Sequence, residues 1–131
     1  VADWRVAEPA AGKIKKSGDG RPPVLTLTEN PDILATLAAK GGQRPSLVIG
    51  FAAETDAVVE NARAKRAAKG CDWIVANDVS VASGTFGGDT NRVHLITADG
   101  PQATETWPTM PKREVAERLA ERIAVALETA S

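Results

Sequence analysis

Lys65 and Lys69 stand four residues apart in a stretch of helical character, so their ammonium groups share one helix face. Two like charges at that spacing repel, and the pair helps a helix only when an anion or a carboxylate lies nearby. A polyphosphate suits such a pair, because lysine meets phosphate as a point charge. A plain water-bathed basic face is the other reading. Just upstream, Gly50-Phe51-Ala52-Ala53-Glu54-Thr55 combines a flat apolar ring with small residues that permit close backbone approach. Phe51 suits a nucleotide base lying against it, or else the core of a tight strand-to-helix turn. Lys13-Ile14-Lys15-Lys16 could swing over a triphosphate and offset developing negative charge, or could simply be solvated. Asn30-Pro31 has the chemistry of a helix start, an Asn N-cap followed by Pro at the first helical position. The unpaired N–H groups of that start could equally face a polar ligand atom.

Other residue types argue against whole classes of chemistry. Cys71 is the single cysteine and has no adjacent base, so neither an internal disulfide nor a thiol nucleophile is expected, and nothing suggests zinc. His94 falls in an alternating segment and reads as structural. No glycine-rich phosphate loop of the Rossmann or P-loop type is present. With 16 Lys plus Arg against 17 Asp plus Glu, the chain lacks the basic surplus that nucleic acid or an anionic membrane demands. No apolar run approaches the ~20 residues that span a bilayer, and no signal-peptide pattern is visible. One cysteine fits a reducing cytoplasm.

The elements that must position these residues follow from periodicity. Val1-Ala2-Asp3 reads as a strand tail ending in a carboxylate, and residues 5–23, rich in Ala, Gly, Pro and Lys, as a long loop or flap. Val24–Thr28 alternates as a strand. The helix opened by Asn30-Pro31 carries Ile33, Leu34, Leu37 and Ala38 on one stripe and stops at Gly41. Leu47–Phe51 and Trp73–Ala76 are short continuous apolar runs, as in buried parallel strands. Between them runs a helix capped by Thr55 or Asp56 and ended near Gly70. Residues 79–90 form a loop, 92–97 a strand, 98–100 a turn, and 104–107 the returning arm of a hairpin. Pro111 opens a last helix with Val115, Leu119, Ile123 and Leu127 on one face. The expected class is α/β: a Rossmann-like, mostly parallel sheet flanked by helices, with a flap and an antiparallel strand extension. Ligands of such sheets bind beyond the carboxyl ends of strands, where Asp3, the 50–55 segment and Asn77-Asp78-Val79-Ser80 fall.

Taken in order, Ala2-Asp3-Trp4-Arg5, Lys13-Ile14-Lys15-Lys16, Asn30-Pro31-Asp32-Ile33, Gly50-Phe51-Ala52-Ala53-Glu54-Thr55 and Ala76-Asn77-Asp78-Val79-Ser80 resemble phosphopantothenoylcysteine synthetase along nearly the whole chain. In many bacteria that synthetase is the C-terminal half of a bifunctional protein, and FMN belongs to the fused decarboxylase half, of which nothing is visible here. The resemblance implies CTP, 4'-phosphopantothenate and cysteine as substrates, Mg²⁺ as the cation, and a homodimer or higher homo-oligomer with contributions from residues 91–107. It places Asp3 near the nucleotide and its bound cation. Lys13 matches the lysine of the chemical step. Pro31, Asp32, Ile33 and Leu34 match a nucleotide-contacting segment, Phe51 the residue against the cytosine, and Lys65 and Lys69 the phosphate-binding lysines. Residues 1–131 would then be the C-terminal part of one ligase domain. The upstream half, with the asparagine used on the acyl-cytidylate, would be absent, and the fragment alone inactive. The alternative is a non-catalytic nucleotide-binding or regulatory α/β module, which needs the ring and the lysine pair but not Lys13.

Overall fold

The computed structural model describes residues 2–16, 18–80, 88–98 and 100–129. They fall into two compact units, residues 1–33 and residues 34–131.

The first unit is a two-stranded antiparallel ribbon, β1 (Trp4–Val6) against β2 (Leu27–Glu29), in the register Trp4↔Glu29 to Val6↔Leu27. Asp3 therefore precedes a strand instead of closing one. The second strand begins three residues later than Val24, because its pairing is limited by the three residues of β1. The ribbon's end is tied by Asn30. Its Nδ2 donates to the Ala2 carbonyl at 2.7 Å and its Oδ1 accepts from Arg5 Nη1 at 3.1 Å. With its side chain committed to the ribbon, Asn30 is not the N-cap, and helix α1 covers only Ile33–Ala38. The described residues between the strands, 7–16 and 18–26, are exposed.

The second unit carries a four-stranded sheet in the order β3-β4-β6-β7, formed by β3 (Ile49–Glu54), β4 (Trp73–Asp78), β6 (Val93–Ile96) and β7 (Thr104–Thr106). A small ladder of β5 (Thr90–Asn91) and β8 (Met110–Pro111) lies alongside in sequence. Helix α2 (Val58–Lys69) joins β3 to β4, and this crossover lets the two strands run parallel, Ile49↔Trp73 through Glu54↔Asp78. The remaining pairs, β4·β6 and β6·β7, are antiparallel. The mostly parallel sheet expected from sequence is thus corrected to a mixed one. Among the described residues between Asp78 and Val93 there is no helix to carry the chain back across the sheet. The pairing of β4 with β6 is antiparallel in the register Ile74↔Ile96 through Asn77↔Val93. The hairpin of 92–97 with 104–107 forms as expected.

Pleating sends alternate residues to opposite faces. Gly50, Ala52, Ile74, Ala76 and Ile96 face a core shared with Val48, Ala62 and Cys71, covered by Leu34 and Ala38 of α1 and Val58 and Val59 of α2. Trp73, Val75, Val93 and Leu95 face Trp107, Met110 and the last helix, α3 (Lys112–Thr129), which contributes Val115, Leu119, Ile123 and Ala126. Leu127 leaves this face, being 41% exposed. Each step of four residues overshoots a full turn by ~40°, so three steps from Val115 rotate it away and Ala126 replaces it. Arg122 clamps α3 to β7 through Glu105, with its guanidinium 5.9 Å from the Trp73 ring centroid.

Helix α2 ends as expected, with Gly70 at φ 69° in the left-handed region. Its start is different. Neither Thr55 nor Asp56 caps it. Ala57 occupies the N-cap position with φ 41° and ψ 44° and no side-chain bond, while Asn61 Nδ2 reaches the Asp56 carbonyl at 3.0 Å. A knot about Asp72 fixes the other end. Its Oδ2 accepts from the Val48 amide at 2.7 Å and pairs with Arg44 at 2.9 Å, while Arg66 Nε donates to its carbonyl at 2.7 Å.

Candidate functional site

Strand β3 delivers Phe51 to the surface. Gly50 and Ala52 turn inward and Phe51 turns outward, where it is 65% exposed. Of the two readings of this ring, the core one is overturned, and an uncovered flat apolar face remains. Among the small residues beside it, Gly50 is accounted for by packing inside the protein. A Cβ on Gly50 would lie 2.6 Å from Leu34 Cδ2. The glycine therefore admits helix α1, not a ligand backbone, and Leu34 is engaged in the core. Phe51 belongs to an edge strand of the described sheet.

Helix α2 carries Lys65 and Lys69 one turn apart. The sequence demanded a nearby anion for this pair, and one is present: Glu54, last residue of β3, whose Oε1 lies 2.5 Å from Lys65 Nζ. The Glu54 side chain is enclosed at 11% exposure, whereas Lys65 keeps 48%. Sequence reading quoted Glu54 only as part of a motif. The signal that could have found it was the apposition of a strand-end carboxylate and a lysine on the following helix.

Beside Glu54 in register stands Asp78. Ser80 holds it, with Oγ donating to Oδ1 at 2.6 Å and the amide to the same oxygen at 3.0 Å. These bonds, the hydroxyl's first, lower the Asp78 pKa from its usual value. His94, paired with Ala76 across the strands, is buried, and its Nδ1 lies 2.9 Å from Thr106 Oγ1. Burial lowers its pKa, with the Arg92 charge adding to the effect and Asp78 opposing it. Burial likewise raises the Cys71 thiol. Both fit structural roles: a neutral imidazole and a protonated thiol inside the core.

The first unit holds the other candidates. Asp3 is exposed, and its carbonyl accepts the Asn30 amide at 2.8 Å. Lys13 is exposed between β1 and β2, Pro31 and Asp32 lie on the exposed lead into α1, and Ile33 is its exposed first residue. The candidates thus divide into Asp3, Lys13, Pro31, Asp32 and Ile33 in one unit and Leu34, Phe51, Lys65 and Lys69 in the other.

Among the described residues no group of three or more His, Cys, Asp or Glu could hold a metal ion by themselves. Asp3 is a single exposed carboxylate, a hard oxygen donor of the type magnesium takes one or two of. No helix among the described residues is long and apolar enough to cross a membrane.

These features define a mixed α/β protein with an exposed ring on one strand and a lysine pair on the helix that follows it. The chain belongs to the family described as DNA/pantothenate metabolism flavoprotein C-terminal domain, which it matches over residues 1–127. It is 48% identical over 101 residues to the coenzyme A biosynthesis bifunctional protein CoaBC of Escherichia coli K12, covering 76% of this chain and 25% of that protein. The CoaBC of Mycobacterium bovis is 43% identical over 111 residues, covering 79% and 26%. The chain therefore spans about a quarter of the length of the curated relatives it matches. Among solved structures, the C-terminal domain of a CoaBC superposes with a TM-score of 0.69 at 31% identity, covering 98% of this chain and 52% of that one. The DNA/pantothenate metabolism flavoprotein from Streptococcus pneumoniae gives 0.56 at 25% identity, covering 78% and 43%.

Proposed function

We propose that this chain is part of a coenzyme A biosynthesis ligase that joins 4'-phosphopantothenate to cysteine at the expense of CTP. The observation that carries the reading is the exposed Phe51 ring on the strand before the Lys65–Lys69 helix, in a chain whose family match runs almost end to end. The names of the CoaBC relatives support the pathway, and the residues support the nucleotide.

In this reading the phosphopantothenate carboxylate attacks the α-phosphorus of CTP. A carboxylate O–P bond forms, the P–O bond to pyrophosphate breaks, and an acyl-cytidylate results. The cysteine amine then attacks the acyl carbon, the C–O bond to the nucleotide breaks, CMP leaves, and the amine gives up a proton. Phe51 receives the cytosine. Lys65 and Lys69 bind phosphate oxygens, and the Pro31–Leu34 segment contacts the nucleotide. Lys13, on the flap, offsets charge on the five-coordinate phosphorus, which accumulates only in the transition state. Asp3 would hold Mg²⁺, which would share the phosphate charge. The chain acts in the cytoplasm as a homodimer or higher homo-oligomer, with the 91–107 segment at the contact. The rival, a regulatory nucleotide-binding module, needs no mobile lysine, and the exposed flap with its three lysines favours the enzyme.

The test is calorimetric titration of the full-length protein with CTP and CMP, before and after changing Lys65 and Lys69 together to Ala. The lost contacts are to charge, so the triphosphate should lose far more affinity than the monophosphate. Equal losses for the two ligands would remove the lysines from the phosphate site.

A further inference from the structure

We infer that Glu54 is a positioning residue that sets the Lys65 ammonium for the nucleotide's phosphates; this rests on the phosphate role just proposed for Lys65. The inference starts from an asymmetry within the pair. Glu54 is anchored by the sheet: it stands in register with Asp78, and its carbonyl accepts the Val79 amide at 2.9 Å. Its side chain is 11% exposed and its Oε1 is fully enclosed, 2.5 Å from Lys65 Nζ. The contact is one of charge, without the alignment of a hydrogen bond at that oxygen. An enclosed carboxylate is costly without a cation, so Glu54 requires Lys65. Lys65, at 48% exposure, has no such requirement and would be solvated without the pair.

The fixed member is therefore the carboxylate, and the lysine is the member with capacity to spare. An ammonium has three N–H donors. One side of it faces Glu54, and the exposed side is open to phosphate oxygens. A free lysine stem samples many rotamers and must give up that freedom on binding a ligand. Glu54 imposes the restriction beforehand, which is the usual source of affinity through preorganisation. It also supplies the anion that a Lys65–Lys69 face needs to sit on α2 without a ligand. A competing role, in which Glu54 holds Lys65 away from phosphate, predicts the opposite sign and is separated by the same experiment.

The experiment uses the full-length protein carrying Glu54→Gln or Glu54→Asp, each alone and combined with Lys65→Ala. Titration with Mg·CTP and with CMP is paired with steady-state kinetics, and a thermal melt checks folding. Glu54→Gln keeps the volume and should weaken CTP about tenfold, the size of one charge contact, with CMP changed less than about twofold. KM for CTP should rise more than kcat falls. Glu54→Asp, which keeps the charge on a shorter stem, should lie between. In the Lys65→Ala background, Glu54→Gln should add almost nothing. Unchanged or tighter CTP binding in Glu54→Gln overturns the positioning role, as does a loss that persists undiminished without Lys65. If Lys65→Ala alone leaves CTP binding intact, the phosphate role of Lys65 itself fails, and the positioning role fails with it. Should Glu54→Gln not fold, Glu54→Asp decides by the same criteria.

Discussion

At the residue scale, the separation between binding and chemistry is sharpest at Lys13. Lys65 and Lys69 sit on a helix, whereas Lys13 sits in an exposed segment without regular structure, and the proposed mechanism gives it its part in the chemical step. A group that acts in the transition state changes turnover more than affinity. Lys13→Gln in the full-length protein should leave CTP affinity within a few-fold while acyl-cytidylate formation falls by roughly 10²-fold, the scale of one lost electrostatic donor. Near-normal pyrophosphate release in that variant would take Lys13 out of the chemistry. His94 makes a separate prediction about stability. Its folded pKa is depressed below the ordinary 6.5, chiefly by burial, so the fold favours the neutral ring. The unfolded chain takes up that proton first as pH falls. The stability His94 contributes is therefore present above about pH 6.5 and is lost as pH drops through its lower folded value. Melting temperatures across this window should fall in the native protein and flatten in His94→Gln. An unchanged slope would show that another group titrates there. The shared helix face of Lys65 and Lys69 was legible in the sequence because a four-residue spacing fixes it. Glu54 was not, because its meaning depends on a strand end meeting the helix that follows it.

At the element scale, the sequence read best where apolar runs were long or turns were explicit. The buried core of β4, helix α2 up to Gly70 and the β6–β7 hairpin all formed where their residues placed them. The failures share a cause: local chemistry recruited by tertiary partners. Asn30 has the right side chain for an N-cap but spends it on Ala2 and Arg5. The sheet's mixed direction was not legible in the strands themselves, whose apolar runs read alike whether they pair parallel or antiparallel. Helix α2 begins through strain instead of a cap. Ala57 at φ 41° is in a region that costs a residue with a Cβ about 1 kcal/mol. Ala57→Gly should therefore raise stability by several tenths of a kcal/mol, the relief being partly offset by the freer unfolded chain. Denaturant unfolding measures this, and a loss of more than about 1 kcal/mol would mean that Ala57 is not held in this conformation.

At the scale of the whole molecule, the candidate residues lie in two units and in a chain that covers about a quarter of its curated relatives. Catalysis would require the acyl group, the cysteine amine and the α-phosphorus to be held together, an arrangement whose orientation alone is worth about 7–11 kcal/mol. Nucleotide affinity asks for much less, so binding alone does not separate a ligase from a regulatory module. The most direct measurement supplies the full-length protein with CTP, Mg²⁺ and 4'-phosphopantothenate but no cysteine, and follows pyrophosphate. A ligase of the proposed kind releases pyrophosphate only when phosphopantothenate is present and accumulates an acyl-cytidylate, which added cysteine then converts to product and CMP. Binding of CTP with no phosphopantothenate-dependent pyrophosphate would contradict the account.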